Sequence, residues 1–331
     1  MMIVNFGWIL ISRLPIGKIS FYNIFIEGRQ RFPFGENPLR SYNLSLYDLN
    51  AMFASHIIDD KSQEKSDNLK VILIGDSSIW GYLQEPDQTL TGLLTREFSK
   101  RGENITFYNL GYPSISILKD LMIIENSKKY KPDLIIWFTT LEALPNKTQL
   151  DISIVNNNPD VVNQLIEKYV LKDTLRLSEN ALRDTFWNDR RNISDIFDLQ
   201  IYGILWNATG IDQEYPDTYQ TAQRDFDEPM DAFHGITPRN KLVDYLDLEI
   251  INNGIEKNPD IDFILINEPI LISEGINSSL QYNFYYPIWA YDQYRIIMDD
   301  FTEKNLITYY DLWDMVPQNE FTNSAIHLSD S

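Results

Sequence analysis

Two serines stand where a run of apolar residues ends. The segment KVILIG, residues 70–75, is followed directly by Asp76, Ser77 and Ser78. The apolar run is typical of a buried strand, and in open α/β sheets ligands bind beyond the carboxyl ends of the strands. A serine hydroxyl there could act as a nucleophile, and a helix beginning a few residues later would direct its N–H groups toward a developing oxyanion. The alternative is that Ser77 is only a turn or capping residue.

The elements that would position these serines alternate between strand and helix patterns. Strands are predicted at residues 70–75, 105–110, 133–139, 262–267 and 306–312, and helices between them at 89–102, 116–130, 238–254 and 287–305. The first, third and fourth strand candidates are continuous apolar runs, as expected of parallel strands covered on both faces. The alternation predicts an α/β fold with a parallel sheet and helices on both of its faces.

A long segment separates the third and fourth predicted strands. It spans about 120 residues, far more than an ordinary connection between neighbouring elements. Further helical patterns lie within it at residues 160–171 and 180–209. We interpret residues 146–236 as an inserted, mostly helical cap, which could shape a substrate pocket or could simply stabilise the fold.

Residues 1–67 form an N-terminal extension that leads into the polar stretch DKSQEKSDNL. The extension begins with about a dozen mostly apolar residues, whereas a membrane-spanning helix needs about 20. A signal peptide would begin with basic residues and end at a cleavage site made of small residues, and this pattern is not complete here. Two interpretations stay open: a shortened membrane anchor, or an apolar segment packed on the domain.

The composition argues against several classes of function. The 331 residues include 28 basic and 48 acidic side chains, a net charge of −20, which disfavours nucleic acid and anionic lipid as partners. The chain has no cysteine, so disulfides, thiolate nucleophiles and cysteine metal sites are excluded. No H-E-x-x-H motif and no glycine-rich phosphate loop is present, and we therefore expect neither a metal nor an organic cofactor.

The residues around Ser77 form a motif. The pattern G-D-S-x-x-x-G is formed by Gly75, Asp76, Ser77 and Gly81. It resembles the first block of the SGNH (GDSL-type) hydrolases, and the resemblance implies that Ser77 is the nucleophile. It further implies a flavodoxin-like three-layer sandwich with a five-stranded parallel sheet, built from residues 68–145 and 237–331 and carrying the helical insertion.

The same resemblance implies an oxyanion hole, the set of donors that hold the negatively charged oxygen of the intermediate. The N–H groups of Ser77 and of Gly111, in YNLGYPS, match two of the family's donors. The third donor is usually an asparagine in a G-x-N-D block after the third strand. This chain has TTLEAL there, with Thr140 at about the expected position, and its hydroxyl could donate one hydrogen bond.

The family's last block, D-x-x-H, implies that His327 is the general base that takes the proton of Ser77. The aspartate is missing, because Ser324 stands three residues before the histidine. Asn323 stands where related sequences carry an acid, and an asparagine cannot stabilise an imidazolium as a carboxylate does. The alternatives are a Ser–His dyad, an atypical triad in which Asn323 orients the ring, a triad completed by Glu320 or Asp330, or an impaired enzyme.

Two other histidines are weaker candidates for the base. His234 lies in MDAFHG, where Asp231 completes a literal D-x-x-H, but this segment precedes a predicted helix in the inserted region. His56 lies on a short amphipathic stretch and is interpreted as a packing or capping residue.

Asn267 and Glu268, in the N-E-P that ends the fourth predicted strand, are candidates for substrate contact. The alternative is a strand-ending turn. Several segments, including SYNLSLYDLNAMFASH and YNFYYPIWAYDQYR, look like a membrane-associated subgroup of SGNH proteins of bacterial envelopes. This resemblance implies an extracytoplasmic location in the cell envelope, with membrane association through the N-terminus; the alternative is a cytoplasmic protein.

The sequence therefore predicts a serine esterase or O-acyltransferase. Its partner would be an acylated small molecule or glycan, and its substrates could include acyl esters of cell-surface glycans or lipids. The alternative is a catalytically impaired SGNH-fold protein that binds glycans or acts as a scaffold.

Overall fold

The computed structural model describes residues 49–54, 56, 58, 68–82, 84–177, 201, 204, 205, 208, 209 and 229–329. The chain divides into two compact units, Asp60–Gln149 with Pro216–Ser331 and Met1–Asp59 with Leu150–Tyr215. Most of the predicted N-terminal extension and most of the predicted helix at 180–209 lie outside the described residues. We call the first unit the sheet unit, because it contains every strand described below.

Five strands form one parallel sheet in the order β2-β1-β3-β4-β5. They are β1 Leu69–Ile74, β2 Ile105–Asn109, β3 Leu134–Thr139, β4 Asp262–Asn267 and β5 Tyr309–Asp311. The direction of strand order reverses between β1 and β3, and this is where open α/β sheets bind ligands. The predicted α/β class with a five-stranded parallel sheet is confirmed.

The helices of the described residues are numbered in chain order. They are α1 Leu49–Ala54, α2 Ser77–Trp80, α3 Leu90–Lys100, α4 Ile117–Ser127, α5 Ser153–Asn156, α6 Pro159–Tyr169, α7 Leu248–Glu256 and α8 Ile288–Lys304. Side-chain caps begin three of them: Asp76 accepts from the N–H of Ser78, Thr89 from the N–H of Gly92, and Ser116 from the N–H of Lys119. These side chains satisfy N–H groups that have no partner inside the helix.

The side chains of β3 show that helices cover both faces of the sheet. The indole N–H of Trp137 donates to Asp120 of α4 at 3.1 Å, and its ring lies against Gly254 of α7. Phe138, the next residue, lies in an apolar cluster with Leu90 of α3. Because successive side chains of a strand point to opposite faces, α3 covers one face and α4 and α7 cover the other.

The bounds of two predicted elements differ from the structure for a reason that the structure shows. The predicted helix at 238–254 is a 3₁₀ turn at Leu242–Tyr245 followed by α7, because Leu246 instead forms a bridge with Pro145. The predicted strand at 306–312 is shortened to β5. The backbone of Leu306 is left-handed, with φ +56°, and this conformation cannot belong to a strand.

The second unit is described in part. Its α6 begins with Pro159 at its first position, where the missing N–H costs nothing, and it packs against α5. The amide of Asn163 on α6 bonds the backbone of Leu177 through both its oxygen and its nitrogen. Among the residues that the structure describes, no helix combines the length and the apolar character needed to cross a membrane.

Candidate active site

The motif around Ser77 builds one short helical turn at the end of β1. The side chain of Asp76 caps α2 by accepting from the N–H of Ser78 at 2.8 Å. Gly81 ends the turn with φ +86°, and its N–H donates to the carbonyl of Ser77. A side chain at Gly81 would place a Cβ 2.4 Å from Cγ2 of Thr89, so the position requires glycine both for its backbone and for space. The spacing of the motif is therefore the length of this turn.

Ser77 and His327 meet at this edge of the sheet. The Oγ of Ser77 lies 2.8 Å from Nε2 of His327, although the two residues are 250 positions apart. A short backbone pairing positions the histidine: Phe321 bridges Leu328, and the N–H of Thr322 donates to the carbonyl of His327. The distance suits proton transfer from the hydroxyl to the imidazole.

Asn323 occupies the other side of the imidazole ring. Its Oδ1 lies 2.9 Å from Nδ1 of His327. An amide oxygen only accepts hydrogen bonds, so this contact places the ring proton on Nδ1 and leaves Nε2 free to accept from Ser77. The structure thus has the geometry of a triad with a neutral amide as its third member.

Among the described residues, no carboxylate bonds the ring of His327 in place of Asn323. The carboxylate of Glu320, which was one alternative, instead accepts from the Ser329 hydroxyl at 2.6 Å and from the Asn319 amide at 2.9 Å. Asp330, the other alternative, lies outside the described residues.

The surroundings of His327 keep its ring neutral. Burial lowers the pKa of His327 below its ordinary value, and the nearby charge of Asp76 only partly opposes this effect. The ring of Tyr82 stacks on the imidazole, with centroids 4.7 Å apart and planes 19° apart. A neutral imidazole at neutral pH is the form that can take a proton.

The two predicted backbone donors of the oxyanion hole differ in their partners. Among the described residues, the N–H of Ser77 donates to no hydrogen-bond acceptor, as a donor reserved for a ligand would. The N–H of Gly111 instead donates to Oδ1 of Asn109 at 2.9 Å, and the amide of Asn109 donates to the carbonyl of Ile79 at 2.8 Å. Asn109 therefore links the loop after β2 to α2.

Gly111 also has a packing role that the sequence did not suggest. A Cβ at this position would lie 2.4 Å from the backbone nitrogen of Trp80 and 2.8 Å from the carbonyl carbon of Ile79. Backbone atoms cannot move aside as a flexible side chain can, so glycine is needed here for the close approach of two main chains.

The hydroxyl of Thr140, the predicted third donor, is bonded within the protein. Its side chain is fully buried, and its hydroxyl is 2.8 Å from the hydroxyl of Tyr286. The structure thus gives the Thr140 hydroxyl a protein partner in place of a substrate oxygen. The hydroxyl is bonded in this way because the aromatic segment 282–286, which precedes α8, places Tyr286 against the end of β3.

The two candidates for substrate contact are also buried. Asn267 donates to Asp311 at 2.8 Å and accepts from the hydroxyls of Tyr291 and Tyr294, so that it cross-links β4, β5 and α8. The carboxyl of Glu268 accepts from the Ser78 hydroxyl, and only 2% of the residue is exposed. Both side chains contact protein rather than open space, which differs from the expectation for them.

His234 belongs to a different pair. Its Nε2 lies 2.8 Å from the carboxylate of Glu142, and that hydrogen bond raises the pKa of His234 above its ordinary value. Its backbone is left-handed, with φ +47°. His56, the third histidine, follows α1 in the other unit. Of the two histidines in the sheet unit, the structure therefore brings His327, and not His234, to the hydroxyl of Ser77.

A buried ion pair beneath the site was not predicted. Lys119 is fully buried beside Asp120, and its ammonium donates to the carbonyls of Gly75 at 2.8 Å and Tyr112 at 3.4 Å. Burial raises the pKa of Asp120 to about 6 despite the neighbouring Lys119. The ammonium ties the end of β1 to the loop after β2. The signal was present in ILKDLMII, where two charges interrupt an otherwise apolar helix.

Among the residues that the structure describes, no group of three or more His, Asp or Glu side chains is arranged to hold a metal ion.

This chain is similar to several solved structures at low sequence identity. For a psychrotrophic esterase of Pseudoalteromonas sp., EstA, the identity is 9% and the TM-score 0.37, over 80% of this chain and 89% of that chain. For AlinE4, an SGNH-hydrolase family esterase, the sequence identity is 11% and the TM-score 0.33, over 74% of this chain and 77% of that chain. For a member of the lipolytic G-D-S-L family from Veillonella parvula, the sequence identity is 11% and the TM-score 0.35, over 79% of this chain and 90% of that chain. No protein-family model and no curated protein sequence matches this chain.

Proposed function

We propose that this protein is a serine esterase or O-acyltransferase that acts on acyl esters. Ser77 is the nucleophile, His327 is the general base, and Asn323 orients the imidazole ring. The observation that carries the proposal is the contact of 2.8 Å between Oγ of Ser77 and Nε2 of His327, across 250 positions of the chain. Together with the cap at Asp76, it supports a site built around one hydroxyl.

The reaction would proceed in two steps. The oxygen of Ser77 attacks the ester carbonyl carbon while Nε2 of His327 takes the hydroxyl proton. The carbonyl oxygen becomes an oxyanion that accepts from the N–H of Ser77, and the alcohol leaves with the proton from His327. Water or a sugar hydroxyl then attacks the acyl-serine with the same base, which gives hydrolysis or transfer. The N–H of Gly111 can join the oxyanion hole only if Asn109 releases it.

We further propose that the acyl groups belong to cell-surface glycans or lipids of the cell envelope, and that the N-terminus associates with the membrane. The resemblance of several segments to envelope-associated SGNH proteins supports this assignment. The net charge of −20 favours substrates without negative charge, because an acidic surface repels anions.

Covalent labelling tests the nucleophile. A fluorophosphonate probe should add to Ser77, detected by intact mass and located by peptide mapping, because the hydroxyl of Ser77 contacts Nε2 of His327. Ser77→Ala should lose the adduct. Ser99→Ala is the matched control, because Ser99 is an exposed residue of α3, and this variant should still be labelled at Ser77. A probe adduct on Ser78, or none on the wild-type protein, would contradict the proposal.

The pH dependence of turnover tests the base. Turnover requires neutral His327, and burial lowers the pKa of this residue below 6.5. We therefore expect kcat/KM for a p-nitrophenyl ester to rise with pH, with a midpoint below 6.5, and to level off at neutral pH. A midpoint above 6.5 would show that another group, or a carboxylate not identified in the structure, controls the reaction.

One observation favours a second candidate function, a non-catalytic glycan-binding or scaffolding protein. The group that faces Nδ1 of His327 is the neutral amide of Asn323, and such a partner gives an imidazolium no charge stabilisation. Under this alternative the probe leaves Ser77 unmodified, while calorimetry detects binding of an acetylated oligosaccharide to both the wild-type protein and Ser77→Ala.

A further inference from the structure

Two carboxyl groups lie buried behind the turn that carries Ser77. Asp76 follows β1 directly and is 5% exposed, and Glu268 follows β4 directly and is 2% exposed. Ser78 joins them: its N–H donates to Oδ1 of Asp76 at 2.8 Å, and its hydroxyl donates to Oε2 of Glu268. Neither carboxyl takes part in the proposed reaction as nucleophile or base, so their burial at this place needs another explanation.

The charges around Glu268 make a second carboxylate unfavourable. Asp76 and Asp120 both face it, and both act to raise its pKa. The cation of this region, Lys119, is paired with Asp120 and two backbone carbonyls. Burial and the carboxyl of Asp76 together raise the pKa of Glu268 well above its ordinary value. Tyr286 and Tyr291 also face this region, and burial raises their pKa values well above 10, so they stay neutral.

The second oxygen of Glu268 indicates where the proton lies. Oε1 is fully buried, and as a carboxylate oxygen it would have no donor among the described residues. As the hydroxyl of a carboxylic acid, Oε1 becomes a donor, and the neighbouring side chain of Asp76 is an acceptor for it. Protonation therefore turns an unsatisfied buried acceptor into one half of a hydrogen bond.

We propose that Glu268 is a positioning residue: as a carboxylic acid it donates to Asp76, accepts from the Ser78 hydroxyl, and so fixes the first turn of α2. In this arrangement one shared proton links the end of β4 to the cap of α2. The inference rests on the proposed function only in that Ser77, the residue so positioned, is the nucleophile.

The shared proton gives the stability of the protein a defined pH dependence. The pKa of Glu268 is higher in the folded protein than in the unfolded chain, where it is about 4.3. The stability that the protonated form contributes is therefore fully present below about pH 4 and is lost as pH rises toward the folded pKa. Once the proton is lost, two adjacent buried carboxylates repel each other beneath Ser77.

Thermal melting of Glu268→Gln tests the proton directly. A glutamine amide keeps both a donor and an acceptor but has no proton to lose. Between about pH 5 and pH 9 the Tm of the wild-type protein should fall, relative to that of Glu268→Gln, by at least about 2 °C. Glu320→Gln is the matched control, because the carboxylate of Glu320 bonds Ser329 and Asn319. The difference in Tm between Glu320→Gln and the wild type should be the same at every pH in this range. If the Tm of the wild type and the Tm of Glu268→Gln changed with pH in parallel, the proposal would be overturned.

Kinetics test the positioning. In the wild-type protein kcat should fall at alkaline pH, and in Glu268→Gln this fall should shift upward by at least about one pH unit or disappear. Glu268→Ala should lower kcat at least about tenfold with little change in KM, and Glu268→Gln should restore most of it. If kcat fell equally in Glu268→Ala and Glu268→Gln, the proposal would be overturned. Melting needs no turnover, so the proton is tested even if the labelling of Ser77 fails.

Discussion

Replacing Asn323 by Asp should increase kcat by about 10²- to 10⁴-fold. The amide oxygen of Asn323 already accepts from Nδ1 of His327 at 2.9 Å, and aspartate has nearly the same shape. The new carboxylate would stabilise the imidazolium that forms when Ser77 loses its proton. The reverse change in a serine protease costs about 10⁴ in kcat, partly because its asparagine favours the wrong tautomer. In this protein the amide oxygen faces the ring, so the wild type keeps the productive tautomer and lacks only the charge.

Asn323→Asp should also move the pH profile. A carboxylate at Nδ1 favours the protonated ring, so the midpoint of kcat/KM should shift to a higher pH than in the wild type. Asn319→Asp is the matched control, because it adds the same charge to the same segment at an exposed residue that bonds Glu320. It should change neither kcat nor the midpoint. Equal activity of Asn323→Asp and the wild type would show that residue 323 does not act on the catalytic ring.

Replacing Lys119 by Met should lower the free energy of unfolding by about 3–5 kcal/mol. The substitution keeps the length of the side chain but leaves Asp120 as a buried acid without its cation. It also removes the donor from the carbonyls of Gly75, at the end of β1, and Tyr112, in the loop after β2. Urea unfolding monitored by tryptophan fluorescence would measure the loss.

A lysine of an exposed pair provides the control. Lys100 lies 3.9 Å from Glu97 on α3, with both side chains at least half exposed. Solvent screens such pairs, and Lys100→Met should change the free energy of unfolding by less than about 1 kcal/mol. If both variants lost equal stability, the buried pair would have no special role in joining the two loops.

Much of the sheet could be predicted from local sequence. The apolar runs that became β1, β3 and β4 are continuous because both faces of these strands are covered, and such runs can be recognised without knowing their partners. The helix expected a few residues after the serines begins at Ser77 itself. Its cap at Asp76 and its glycine at Gly81 are separated by the length of one helical turn, so the motif and the structure describe the same local geometry.

The bounds of other elements depended on distant residues. The helix predicted at 238–254 is interrupted because Leu246 pairs with Pro145, about a hundred positions earlier. The burial of Thr140 likewise depends on Tyr286, which lies 146 positions away. Hydrogen-bond partners so far apart leave no periodic signal in either segment.

Local pattern and composition were enough to predict the order of the strands, the position of Ser77 at the end of β1, and the absence of any cysteine chemistry. The roles of the polar side chains at the end of the sheet depended instead on how distant parts of the chain pack together. Asn267 became a cross-link within the protein, Glu268 a buried partner of Ser78, and Asn323 the neighbour of His327. A polar residue at a strand end can face either a ligand or the protein, and which one it faces depends on what the rest of the chain packs against it.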